Sequence, residues 1–258
     1  FGEVAMGMEN LYLKRSPRAL LMGDAYTAVA DDAYTLFYNP AALGRHDGLS
    51  VYFGDPDVTV TNVLGEMDRF ENFPSRDPAA ISDRILGLPF HLQAGIVPGM
   101  KMQHFGVNMF AGIRTNLVLN NAIHPALKLD YTMDRGFIAG YAFTLGGGGR
   151  SYGKKKLNQV GGKLSWGVAV KSMTRQGIQQ DFDLFGLELL NQIESGSTRD
   201  MNGLRESLGY SLGSGWGWDT GLEYSLTMGR SNMTVGVSAM DVFDTHFERT
   251  EGNRTIPK

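Results

Sequence analysis

The chain has no cysteine among its 258 residues. That excludes a disulfide framework, a thiolate metal site and a cysteine nucleophile. It also lacks any run of 18 or more apolar residues, so no helix of it is built to cross a bilayer. Neither charge sign dominates: 24 Lys and Arg face 27 Asp and Glu, a net charge of −3. Nucleic acid is therefore a poor partner, because it calls for a basic surface. Charged residues make up only 20% of the chain, and the mean hydropathy is −0.18. Glycine is what the sequence has in excess, with 34 residues, about 13% and roughly twice ordinary usage. Glycine-rich, weakly hydrophobic chains suit two architectures: a large soluble β protein and a transmembrane β-barrel.

Residues 15–48 differ from all that follows. They are rich in Ala, and carry turn or cap signals at Asp31-Asp32 and at Asn39-Pro40. The pattern predicts one or two short helical turns and a tight turn that Pro40 starts and Gly44 ends.

From residue 49 onward the dominant period is two. Residues 215–228 place Trp216, Trp218, Thr220, Leu222, Tyr224, Leu226 and Met228 on one face, against glycine and polar residues on the other. Segments 105–117, 126–133, 136–145, 163–171 and 232–239 alternate in the same way, and shorter strands fit 49–54, 58–63 and 90–98. Long alternating strands with a Gly, Ser, Asn and mixed-charge face match a barrel lumen better than a half-buried soluble sheet. On that reading Leu222 faces lipid, and the inward change Gly221→Ser is expected to be mild. Two stretches break the period. Residues 77–88 predict a short amphipathic helix with Pro78 at its first position. Residues 183–194 predict another, capped by Asp183, with Leu184, Leu187 and Leu190 on its apolar side.

Site chemistry is sparse. The five histidines never fall three to five apart and no acidic cluster completes a ligand set, so no metal site is expected. Asp31-Asp32 before an apolar stretch reads as a helix cap rather than an acid–base pair. Gly148 to Lys155 nearly spells a phosphate-binding loop, but Lys155 occupies the place of the required Ser or Thr. No serine sits in a G-x-S-x-G elbow. No enzyme and no cofactor is expected.

The stretch LMGDAYTAVADDAYTLFYNPAALG, followed by LSVYFGDPDVTV, resembles the start of the long-chain fatty-acid transporter (FadL) superfamily of outer-membrane barrels. The matching residues are Gly23, Ala25, Ala28, Ala30-Asp31-Asp32-Ala33, Asn39-Pro40-Ala41 and Asp55-Pro56-Asp57-Val58. The opening is also similar to the PorV-type barrels that serve type IX secretion, as are GVAVKSMTRQ and GWDTGLEYSL. The resemblance implies an all-β fold: an antiparallel transmembrane β-barrel whose lumen is plugged by an N-terminal helical hatch. Residues 1–48 would form the hatch and 49–258 the barrel strands. Family barrels have fourteen strands and finish on an aromatic residue. Here the pattern supports eight or nine strands and ends at Thr255-Ile256-Pro257-Lys258. Further strands after Lys258, or closure with help from elsewhere, are therefore expected.

The implied location is the bacterial outer membrane, with the signal peptide already removed and with lipid and lipopolysaccharide around the wall. The expected function is passage of a hydrophobic small molecule, such as a fatty acid, through the plugged lumen. Leu36, Phe37 and Tyr38 would border its path. The alternative is a docking barrel that binds a protein partner in a larger envelope complex. The 183–194 helix would then face that partner rather than a ligand.

Overall fold

A computed structural model describes residues 13–61, 71, 84, 90–120, 126–146, 160–183, 210–228 and 231–251. After two short helices, α1 (Pro17–Leu21) and α2 (Thr35–Tyr38), and a 3₁₀ helix (Pro40–Arg45), the described chain is almost entirely antiparallel β. The strands are β1 (Leu49–Tyr52), β2 (Asp57–Val60), β3 (Phe90–Ile96), β4 (Gly99–Met102), β5 (Phe105–Asn120), β6 (Ala126–Gly146), β7 (Val160–Asp183), β8 (Ser211–Met228), β9 (Ser231–Ala239) and β10 (His246–Glu251). They form one ten-stranded sheet that is not closed.

The register reduces ten strands to seven columns. β3 and β4 pair in turn with β5, β2 and β1 pair with β3 and β4, and β9 and β10 both pair with β8. Three columns are thus interrupted, at 53–56, at Val97-Pro98 and at 240–245. Pro56 and Pro98 explain two of these breaks, because proline cannot donate to a ladder. The count of eight or nine strands is corrected accordingly. Segments 126–133 and 136–145 are one 21-residue strand, and 163–171 lies in the first half of a 24-residue one.

Alternation gives the sheet two unlike faces. The N-terminal segment packs on the inner face, where its 3₁₀ helix meets β6, β7 and β8. The core there holds Tyr26, Tyr34, Leu36, Phe37, Tyr38 and Leu43 against Phe110, Ile138, Ala142 and Ala169. On the outer face apolar residues line up across strands. Leu145, Leu164, Tyr224 and Val235 make one row, and Phe143, Trp166, Leu222 and Val237 the next. The apolar rows continue to Phe137 and Trp216, then give way to a polar row of Arg135, Thr174, Ser214 and Glu248. Leu222 is 52% exposed, Trp216 61% and Leu145 72%, and nothing among the described residues covers them.

Successive strands turn at alternate rims. The two-residue connection Gln103-His104 lies on one rim, with His104 in the left-handed conformation at φ 70°. The end of β8 and the start of β9 lie on the same rim, as do the end of β6 and the start of β7. The end of β2 and the start of β3 lie on the other rim, as do the end of β7 and the start of β8. Among the described residues no helix is long and apolar enough to cross a membrane. The helix expected over 77–88 lies outside the described residues except for Arg84. Asp183 is the last residue of β7, opposite Ala126, and the helix it is expected to cap lies outside the described residues. Residues 184–194, with Leu184, Leu187 and Leu190, lie outside the described residues.

Candidate functional site

The site begins with the Asn39-Pro40-Ala41 turn. Asn39 precedes a proline, which pushes its backbone to an extended conformation, φ −159° and ψ 103°. Its side-chain oxygen accepts from the Ala41 amide at 3.0 Å, capping the 3₁₀ helix, and its amide donates to the Thr27 carbonyl at 3.2 Å. Proline then opens the helix, where a missing N–H costs nothing.

This turn rests on a seat of wall glycines. Gly167 of β7 and Gly221 of β8 are register partners. A Cβ on Gly167 would overlap the Pro40–Ala41 peptide, and one on Gly221 would overlap the Asn39 side-chain oxygen. A Cβ on Gly236 of β9 would press within 3.1 Å of both the Ala28 Cα and the Asn39 side-chain nitrogen. The glycines thus serve close approach of two backbones. Sequence reasoning missed them, since each looked like one more small inward residue. Their partners in the turn lie more than a hundred positions away.

Polar anchors surround the seat. Lys101 of β4, 4% exposed, donates to the carbonyls of Asp31 and Asp32 and to the Thr35 hydroxyl, the last two at 3.1 and 3.3 Å. Asn108 of β5 donates to the Ala33 carbonyl at 2.9 Å, and Lys163 of β7 donates to the Gly44 carbonyl. Arg45 holds the carbonyls of Ala28 and Ala30 at 2.8 and 2.9 Å while its Nε faces Glu223 of β8 at 3.5 Å. These contacts tie the N-terminal segment to its wall through neutral carbonyls more than through ion pairs.

The two acidic residues have separate roles. Asp32 accepts from the Tyr34 amide at 2.8 Å and the Ser16 hydroxyl at 2.7 Å, so it caps local backbone. Asp31 pairs with Arg18 at the surface. Burial pushes the Tyr34 hydroxyl well above the ordinary tyrosine range, with Asp57 and Asp55 adding to it. Leu36 packs towards Gly140 and Gly106 of the wall. Tyr38 stands edge-on to Tyr26 at 5.1 Å.

Phe37 is placed differently. It meets Phe110 edge-on at 5.6 Å and also borders a cleft of about 420 Å³ on the inner face. The cleft lies between the N-terminal segment and the long-connection rim, bounded by Leu13, Met173 and Phe247 besides charged wall residues. Arg175 makes a two-pronged pair with Asp134, at 2.7 and 3.0 Å. Lys171 pairs with Asp219 at 2.8 Å and with Asp241 at 3.5 Å. Asp219 also accepts the Asp241 amide at 2.7 Å, which fixes the interruption between β9 and β10. Sequence alternation marked Lys171 and Asp219 as inward, left Asp134, Arg175 and Asp241 outside its strands, and gave no sign that the five converge.

Among the described residues no group of His, Asp or Glu is arranged to hold a metal ion. Comparisons with protein-family models, with curated proteins and with solved structures find no match.

Proposed function

We propose that this chain forms the wall and hatch of an outer-membrane β-barrel that passes hydrophobic small molecules. The outer face supports the membrane part. Its uncovered apolar rows run from Leu145 to Phe137 on β6, nine residues, which is the span a tilted strand needs to cross hydrocarbon. A soluble protein exposing so large a patch would aggregate. The seven columns leave β1–β2 and β9–β10 as edges running the same way. Closing them antiparallel takes an odd number of further strands, since an edge in lipid leaves backbone groups unsatisfied. Outer-membrane barrels carry their longest loops on the outer side, so the rim joined by the two longest connections, 61–89 and 184–210, is taken as outward and the rim with 103–104 and 147–159 as periplasmic.

The cleft carries the transport part. It opens above the hatch on the outward rim, and Phe37 of the hatch is part of its floor. A molecule reaching that floor touches the element that must move for passage. The test is uptake of the neutral hydrophobic dye N-phenylnaphthylamine by Gram-negative cells displaying the full chain. Uptake above an empty vector, with no rise in entry of a hydrophilic β-lactam, is expected. Uptake equal to the empty vector removes the proposal.

A second reading has its own observation. The hatch is bound to the wall by Lys101, Asn108 and Lys163, which suits a permanently sealed docking barrel of PorV type. Purification in mild detergent separates the two. A stoichiometric protein partner without dye uptake favours docking.

A further inference from the structure

We infer that Arg135 and Thr174, on the outer face of the wall, bind a phosphate group of the lipid in the outer leaflet. The inference rests on the reading that this face lies in a membrane, and not on transport. Among the described side chains of the strands, the outer face carries one Lys or Arg, Arg135 of β6, and one carboxylate, Glu248 of β10. Both stand in the single row of Arg135, Thr174, Ser214 and Glu248. Directly beneath that row Phe137 and Trp216 meet edge-on, ring centroids 5.9 Å apart, and open the exposed apolar rows. The outward charges are thus confined to one height, above an aromatic pair of the kind that marks where hydrocarbon gives way to headgroups.

Arg135 is exposed, and among the described residues it has no ion pair, hydrogen bond or ring partner. Its neighbour Asp134 reaches to the inner face, where both of its oxygens are held by Arg175. Glu248 stands three strand spacings away, about 14 Å at about 4.8 Å each. That is beyond a Debye length at physiological salt, so Glu248 neither pairs with Arg135 nor repels an anion on it strongly. A free guanidinium offers a planar fork of donors that fits two phosphate oxygens. Thr174, its register partner on β7, adds a hydroxyl beside the fork, and Ser214 adds another one strand farther on. The row therefore suits a phosphate on a hydroxyl-bearing headgroup. It lies on the side of the rim taken as outward, where the lipid carrying phosphate on a sugar is lipopolysaccharide.

Native mass spectrometry of the full chain, released from a nonionic detergent, tests this with three probes: diphosphoryl lipid A, the same lipid with both phosphates removed, and inorganic phosphate alone. The diphosphoryl lipid is expected to bind at least about fivefold more tightly than the dephosphorylated one, and inorganic phosphate not to bind detectably. Arg135→Gln should erase the preference, and Arg135→Lys should keep only part of it, because an ammonium lacks the fork. Heat-modifiable migration shows that each variant is folded. Equal binding of the two lipids overturns the inference, as does a preference that survives Arg135→Gln, and inorganic phosphate that binds as well as the lipid overturns the assignment to lipid. Quenching of the tryptophans by brominated phosphatidylcholine, in vesicles free of lipid A, tests the membrane reading by itself. No quenching there overturns both readings, whereas strong quenching without a phosphate preference overturns the lipid site alone.

Discussion

The side-chain oxygen of Asn39 lies where a Cβ on Gly221 would have to be, so turn and wall fit only because residue 221 is glycine. Gly221→Ser, expected from the sequence to be mild, becomes an overpacking change of about 1–3 kcal/mol against the hatch. Asn39→Ala removes a cap worth about 0.5–2 kcal/mol from the other side of the same contact. Both should raise single-channel conductance to small ions in planar bilayers while the wall still assembles. Conductance equal to that of the unaltered protein would show that the turn is not what seals the lumen.

Lys101 is the second hold on the hatch. Lys101→Met removes the donor shared by the part-buried carbonyls of Asp31 and Asp32 and the buried Thr35 hydroxyl, a loss of about 1–3 kcal/mol in all. Arg18→Met removes only the surface pair with Asp31, both partners more than half exposed, and should change little. Amide exchange across residues 13–48 measures the difference. Faster exchange is expected for Lys101→Met alone, and equal exchange in both variants would contradict the anchoring role.

The foot of the hatch should loosen in acid. Burial, and then the nearby Lys101, hold His46 below its ordinary value of 6.5 despite Asp47. Between that depressed value and 6.5 the released segment binds more protons than the seated one, so stability rises with pH. The contribution is complete above 6.5 and is lost as pH falls towards the folded-state value. Exchange rates for residues 40–48, followed from about pH 8 down to 5, should climb at the acid end. His46→Gln should flatten the profile, and an unchanged slope would assign the effect to another group.

Outward and inward positions on β8 should respond differently to charge. Leu222→Arg places a cation among the apolar rows and should cost about 2–4 kcal/mol of folding free energy in lipid, less if it lies near an interface. Ser214→Arg, in the polar row between Thr174 and Glu248, should cost far less. Urea titration in phospholipid vesicles gives both values, and equal costs would place the whole face in water.

Period-two alternation made the wall legible, because every second residue answers to one solvent. The strand limits were harder. Asp134-Arg135 looks like a turn between two strands, yet Asp134 reaches inward to Arg175 while Arg135 stands in the polar outer row. Above that row the outward positions of β7 mix Gln176 and Gln180 with Ile178, so the alternation is too broken to show the strand continuing to Asp183. The Asn-Pro turn and its cap follow from local rules, whereas the glycine seat depends on contacts distant in sequence. The cleft arises the same way, from the alignment of Asp130, Lys171, Arg175 and Asp219 on three neighbouring strands.

All three tryptophans, Trp166, Trp216 and Trp218, stand on the outer face, 49%, 61% and 47% exposed. Their intrinsic fluorescence therefore reports the solvent of that face with no label. The decisive measurement is quenching by brominated phospholipids, with the full chain reconstituted in vesicles and iodide as the aqueous quencher. A wall in lipid requires strong quenching by bromine on the acyl chains and weak quenching by iodide. Strong iodide quenching with no effect of the brominated lipids would contradict a membrane-spanning wall, and with it the proposed function.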